Sequence, residues 1–140
     1  MLRQSSTTLL LEAPRQGLHQ ITGKISSWVE DQEIQAGLLT IFCRHTSASL
    51  LIQENAASAA RHDLETYFAR IAPEDPSLYT HNDEGPDDMP AHLRTALTQT
   101  QLSIPVTAGR MALGTWQGIY LFEHRREPAR REITLHLIGE

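Results

Sequence analysis

Residues 81–92, His-Asn-Asp-Glu-Gly-Pro-Asp-Asp-Met-Pro-Ala-His, place two imidazoles and four carboxylates in one short stretch. No other segment of the chain is so dense in groups that hold a metal or move a proton. Pro90 suits the first turn of a helix, where its missing N–H is no loss. Asp88 is then the expected N-cap, its carboxylate taking the Ala91 N–H. His92 follows near the positive end of the helix dipole, which disfavours another positive charge and favours the neutral imidazole that ligates metals. A capped helix behind a solvated acidic loop would explain Asp88 but neither histidine.

Three further groups have chemical potential. His45-Thr46-Ser47-Ala48-Ser49 follows an apolar run, and its hydroxyls and backbone amides suit an anion, though a turn whose hydroxyls bond the local backbone reads equally well. Glu54, just beyond, is either a buried acid at a strand end or a first-turn helix residue. Gly114-Thr115-Trp116-Gln117-Gly118 interrupts a β pattern with two glycines, a sign of a bulge or a close approach; Thr115 and Gln117 share one parity there. His124 closes that strand beside Glu123, Arg125 and Arg126. Taken with His81 and His92 it makes a three-histidine metal site that keeps one position open for water or substrate. The spacing matches no short zinc signature.

These groups need a scaffold, and the periodicities supply one. Strands are expected at 4–11, 18–21, 38–44, 49–53, 102–107, 111–124 and 133–137. Helices are expected at 23–34 behind Thr22, at 55–71 behind Asn55, and at 90–98. Ala57, Ala60, Leu64, Tyr67, Phe68 and Ile71 form the buried stripe expected of the second helix, and Ala108-Gly109-Arg110 is expected to be a hairpin turn. Runs of strands with two or three helices inserted point to a single α+β domain with a mostly antiparallel sheet or sandwich.

At 140 residues the chain can bury a core without staples, and 40% hydrophobic with 21% charged residues is ordinary for a globular protein. Twelve basic against seventeen acidic residues give −5, which argues against nucleic-acid binding. Cys43, the single cysteine, excludes an internal disulfide and fits a reducing compartment; within its apolar run it reads as a buried thiol. No apolar run approaches a membrane span, so no membrane partner and a cytoplasmic location are expected.

The chain resembles the YjbQ-like family, named for secondary thiamine-phosphate synthase activity. The likeness rests on His45-Thr46-Ser47-Ala48-Ser49-Leu50, Glu54-Asn55, residues 81–92 ending Asp87-Asp88-Met89-Pro90-Ala91-His92, and Gly114-Thr115-Trp116-Gln117-Gly118-Ile119-Tyr120 leading into Glu123-His124-Arg125. It implies an α+β homotrimer with a polar pocket holding a divalent metal, zinc ahead of magnesium. It also implies the joining of a pyrimidine diphosphate to a thiazole phosphate with release of diphosphate. The resulting expectation is a metal-assisted enzyme acting on a small phosphorylated substrate. His81, His92 and His124 hold the metal; His45, Glu54 or Asp88 move protons; Thr46, Ser47, Ser49, Thr115, Gln117 and Arg125 bind the anion. A metal-dependent hydrolase needs nearly the same residues. A non-catalytic trimeric binding module is the rival from another class, and a trimer contact at 87–92 is the structural alternative.

Overall fold

The computed structural model describes all 140 residues. A five-stranded sheet runs in the order β1 (Arg3–Ala13), β8 (Ala129–Gly139), β3 (Ala36–Cys43), β5 (Gln101–Thr107), β6 (Arg110–Met111). A three-stranded sheet runs β2 (Gly17–Gln20), β7 (Gln117–Glu123), β4 (Ala48–Glu54). All pairings are antiparallel. Three helices accompany them: α1 (Thr22–Asp31), α2 (Ser58–Ile71) and α3 (Asp88–Leu97). The expected α+β class with an antiparallel sandwich is what the chain adopts.

Side-chain alternation explains the layers. On β8, Ile133, Leu135 and Leu137 turn inward and pack with Leu39 and Ile41 of β3, Ile104 of β5, and Ile25 and Val29 of α1. Ile119 and Leu121 of β7 join the same core, while Tyr120 and Phe122 face the other way and meet Leu64 and Phe68 of α2. β7 is thus buried on both faces, which explains its unbroken apolar run. Cys43 lies in the main core, its thiol donating to the Ala48 carbonyl at 3.4 Å and its pKa pushed up to about 11 by burial.

Three expectations need correction. The strand expected at 111–124 is two strands in different sheets, β6 and β7. Between them the chain turns at Gly114, whose carbonyl accepts the Gln117 N–H at 3.1 Å. The apolar stripe of α2 contains no buried residue; Tyr67 and Ile71 stand 48% and 42% exposed. Asn55 does not cap α2. The Glu54 carboxylate accepts the Ala57 N–H at 2.8 Å, while the Asn55 amide donates to the carbonyls of Thr115 and Gln117.

The β5–β6 hairpin turns through Ala108 and Gly109, with φ of 50° and 77°. Positive φ at both central residues marks a type I′ turn, which asparagine followed by glycine fits with less strain than alanine does. Ala108→Asn is therefore expected to stabilise the fold by up to about 1 kcal/mol, read as a higher urea midpoint at unchanged slope. An unchanged or lowered midpoint would contradict this account of the turn.

Candidate metal centre

The loop that ends in α3 is held from within. Asn82 donates to the carbonyls of Tyr79 and Pro76 at 2.7 and 3.2 Å, and the Tyr79 hydroxyl donates to the Pro73 carbonyl at 2.8 Å. Gly85 takes φ of 101°, a conformation open to glycine, and its carbonyl accepts the Asp88 N–H at 3.3 Å. α3 begins at Asp88, two residues before the expected start at 90, and its N-cap moves one residue back from Asp88. Asp87 is the N-cap residue and its backbone carbonyl, not a carboxylate, accepts the Ala91 N–H at 3.1 Å. Asp88 is therefore not a cap, and its side chain is free for other partners.

Arg125 fastens this loop. Its Nε donates to Asp87 Oδ2 at 3.1 Å, Nη1 to Asp88 Oδ1 at 2.7 Å, and Nη2 to the Glu84 carbonyl at 2.9 Å. The Arg126 N–H also reaches Asp87 Oδ2, at 2.9 Å. Burial works against the Asp87 carboxylate, but these donors bring it below the usual carboxylate range. Desolvation likewise opposes the Arg125 charge, and the carboxylates of Asp87 and Asp88 outweigh it.

With Oδ1 taken by Arg125, Asp88 Oδ2 sits between two imidazoles, 3.0 Å from His81 Nε2 and 3.1 Å from His92 Nε2. His81 Nε2 is also 3.0 Å from Glu84 Oε2. One donor atom from each of His81, Glu84, Asp88 and His92 lies within 4.8 Å of every other. His92 reveals what this arrangement needs. Its Nδ1–H donates to the Thr46 carbonyl at 2.9 Å, which fixes the tautomer and leaves the Nε2 lone pair facing a carboxylate oxygen. Two lone pairs in contact repel, so the contact closes only with a cation between them, a second proton or a metal ion. A histidine fixed through its other nitrogen by a backbone carbonyl is the usual support of a metal ligand. Two imidazole nitrogens with carboxylate oxygens suit zinc and related transition ions; magnesium prefers oxygen and water. The residues present fit a divalent metal.

The third expected histidine is not part of this group. His124 is fully buried; its Nε2 lies 2.8 Å from Ser49 Oγ, which also accepts from Thr98 Oγ1 at 2.6 Å. Its ring lies tilted by 53° against Phe122, centroids 4.3 Å apart, and burial, aided by the charges of Arg94 and Arg131, lowers its pKa to about 3. The parity that aligned it with Tyr120 and Phe122 turns it inward against Phe122 and Ser49, and it does not join the group around Asp88. Glu84, the remaining residue of this cluster, was visible among the loop carboxylates but had no signal setting it apart from Asp83.

His45 is also committed: its Nε2 accepts the Glu132 N–H at 2.7 Å and the Arg131 guanidinium lies 3.4 Å from Nδ1. Burial and that guanidinium lower its pKa, so it is poorly placed to shuttle protons. Ser47 accepts from Arg131 Nη2 through its hydroxyl at 3.0 Å and its carbonyl at 3.2 Å. Arg131 forms a buried two-point pair with Glu123, both contacts at 2.6 Å. Arg131 shares the inward parity of Ile133, Leu135 and Leu137, a signal that could have identified it.

Glu54, Thr115 and Gln117 lie elsewhere. Glu54 pairs with Gln117 at one end of the β4–β7 ribbon, and Ala48 pairs with Glu123 at the other, about 20 Å away. Gln117 uses its Oε1 to accept the Gly114 N–H at 2.7 Å. Within one chain these residues do not meet the metal group.

Three cavities surround the 45–47 loop. One of about 260 Å³ is lined by Ser47, Arg125 and Arg131. One of about 490 Å³ has His92, Thr46, Thr95 and Thr98 on its walls. The third, about 560 Å³, shares His45, Thr46 and Thr100 with the second and Ser47 with the first.

Comparison with known proteins decides the family. The family model described as UPF0047 protein YjbQ-like matches residues 7–140. The chain belongs to that family. The UPF0047 protein sll1880 of Synechocystis is 48% identical over 138 residues, 99% of this chain and 94% of that one. The UPF0047 protein YjbQ of Escherichia coli O157:H7 is 43% identical over 134 residues, 95% and 96% of the two chains. The crystal structure of a YbjQ-like protein of unknown function from Sulfolobus solfataricus P2 superposes with a TM-score of 0.92 at 26% identity, covering all of both chains. These YjbQ-like relatives carry a family name and no reaction. No helix of this YjbQ-like chain is long and apolar enough to cross a membrane.

The geometry makes metal affinity depend on pH in a set direction. The hydrogen bond to Asp88 comes first among the causes that raise the His81 pKa above its ordinary 6.5, opposed by desolvation. Protons therefore compete for His81 from above pH 6.5, and zinc affinity falls as pH is lowered through that raised value. Chelator-competition titrations at pH 8 and pH 6 are expected to show this fall. His92→Ala is expected to weaken zinc at least tenfold at pH 8. Equal affinity at both pH values, or in the variant, would remove the imidazoles from the metal site.

Proposed function

We propose that this chain is a metal-assisted enzyme acting on a small phosphorylated or diphosphorylated substrate. The proposed reaction is the thiamine-phosphate synthase type: joining a pyrimidine diphosphate to a thiazole phosphate with release of diphosphate. The observation that carries the reading is His92, whose Nδ1–H is committed to Thr46 while Nε2 faces the Asp88 carboxylate. His81, Asp88 and His92 would hold the metal. A bound divalent ion neutralises charge developing on a leaving phosphate.

The remaining work falls to the chain's own groups. Arg125 and Arg131, with the Ser47 hydroxyl, line the smaller cavity beside the metal group and would orient a phosphate there. The 490 Å³ cavity, walled by His92, falls in the size range of sites for small organic ligands. Asp88 is a ligand and not a proton carrier, because both its oxygens are engaged and its side chain is 5% exposed. Glu84, with a side chain 60% exposed and bonded to His81 alone, is the carboxylate free to move a proton. That exposure also favours hydrolysis as the second reading, since water reaches the same groups.

The reading includes a homotrimer. Leu10, Leu38 and Phe42 stand 52%, 43% and 46% exposed on the face of the five-stranded sheet turned from the core, and such a patch supports association. Light scattering is expected to give three times the 15.7 kDa of one chain; a monomer mass would remove this part.

Turnover is the test of function. Zinc-loaded protein is incubated with phosphomonoesters, diphosphates and the pyrimidine–thiazole pair, and released phosphate and diphosphate are measured. Release is expected from the loaded protein, with a loss of about 10²–10⁴-fold in Glu84→Gln, which keeps its zinc. Folded, loaded protein that releases nothing from any of them is a binding module instead.

A further inference from the structure

The YjbQ-like chain buries two arginines, and they are treated differently. Arg131 is paired through two contacts with Glu123. Arg94, 5% exposed, has no carboxylate in contact: its Nη2 donates to the Ala72 carbonyl at 2.9 Å, and its buried Nε–H has no partner. A buried charge is tolerated when it is paired and hydrogen-bonded, and costs several kcal/mol otherwise. Glu74 is nearby but committed, bound by Arg126 through Nε at 2.9 Å and through Nη2. Glu74 and Asp87 therefore act on the Arg94 charge only from a distance.

A cavity of about 220 Å³ opens beside Arg94. Its polar walls are Arg94, Arg126, Glu74 and Gln16; the Gln16 amide donates to the His124 carbonyl at 2.9 Å, which leaves its Oε1 without that duty. With Glu74 and Arg126 neutralising each other, the net charge facing this space is that of Arg94. The volume is below the roughly 300–1,000 Å³ of sites for organic ligands. This is not the metal centre. Asp88 and His92 share one face of α3, and Arg94, two residues past His92, lies about 200° around the helix from it.

We propose that the cavity bounded by Arg94, Arg126, Glu74 and Gln16 is a binding site for a small free oxyanion of the phosphate type. The anion would accept from Arg94 Nη1, which has no protein partner and, unlike the buried Nε, is open to solvent, and would supply the counter-charge that no side chain provides. Arg126, 68% exposed at the side chain, forms the outer wall and contributes a second guanidinium.

The test follows the Arg94 Nε–H resonance by NMR while the full chain is titrated at constant ionic strength. Inorganic phosphate and sulfate are the probes, with chloride and glycerol phosphate as comparison arms. A saturable shift is expected with phosphate and sulfate and not with chloride, and weaker binding of glycerol phosphate, whose organic part the cavity does not accommodate. Arg126→Ala, an exposed change that leaves the core intact, is expected to weaken phosphate about tenfold, since it removes a charge-assisted partner and frees Glu74 to repel. Glu74→Gln is expected to tighten it, because a competing carboxylate is gone. His92→Ala should leave the shift unchanged. The proposal is overturned by a resonance that does not move or that moves equally with chloride. It is also overturned by glycerol phosphate binding as tightly as phosphate, by weakening in Glu74→Gln, or by loss of the shift in His92→Ala, which would place the anion at the metal centre.

Discussion

One carboxylate organises the functional end of this molecule. Asp88 gives one oxygen to Arg125 and places the other between two imidazoles, at 2.7, 3.0 and 3.1 Å. The first oxygen anchors the loop to the end of β7, and the second defines a point where positive charge is required. Moving Asp88 from cap to ligand has a physical cause. Pro90 has no N–H, and the Ala91 N–H goes to the Asp87 carbonyl, so the Asp88 side chain has little to gain at the helix start. Arg125, already pairing with Asp87, reaches it instead.

The supports of this point extend into the sandwich. Arg131, on the inner face of β8, crosses to Glu123 on β7 and joins the two sheets at their end. The same guanidinium takes the Ser47 carbonyl and hydroxyl and approaches His45, whose Nε2 receives the Glu132 N–H. These bonds set the path of residues 45–47. Thr46 lies between them, and its carbonyl is what fixes the His92 tautomer. The His-Thr-Ser stretch thus contributes to the metal centre through its backbone, while its polar side chains maintain the turn.

Much of the fold was legible because its signals are local. Alternation on 133–137 fixed β8, and the Pro73 stop fixed the end of α2. The metal centre was legible in part: His81, Asp88 and His92 lie within twelve residues, and helical spacing puts Asp88 and His92 on one face. Glu84 is on the same loop, but nothing local tells an inward carboxylate from an outward one. His124 misled because parity gives a face and not a neighbour. Its neighbours are Phe122 and Ser49, and burial among them keeps the ring neutral. The break at 112–116 was hidden because Met111, Ala112 and Leu113 carry an apolar run toward β7, and only the partners of the two strands, β5 in one sheet and β2 and β4 in the other, separate them. The unpaired charge of Arg94 had no sequence signal, since it depends on Glu74 choosing Arg126.

The position of the metal can be observed directly. Crystals of the zinc-loaded protein, measured at the zinc absorption edge, are expected to show one anomalous peak about 2.0–2.1 Å from the Nε2 atoms of both His81 and His92, with Asp88 as an oxygen ligand. A peak bound through Nδ1 of His92, a peak at His124, or no peak beside the 81–92 loop would contradict the account.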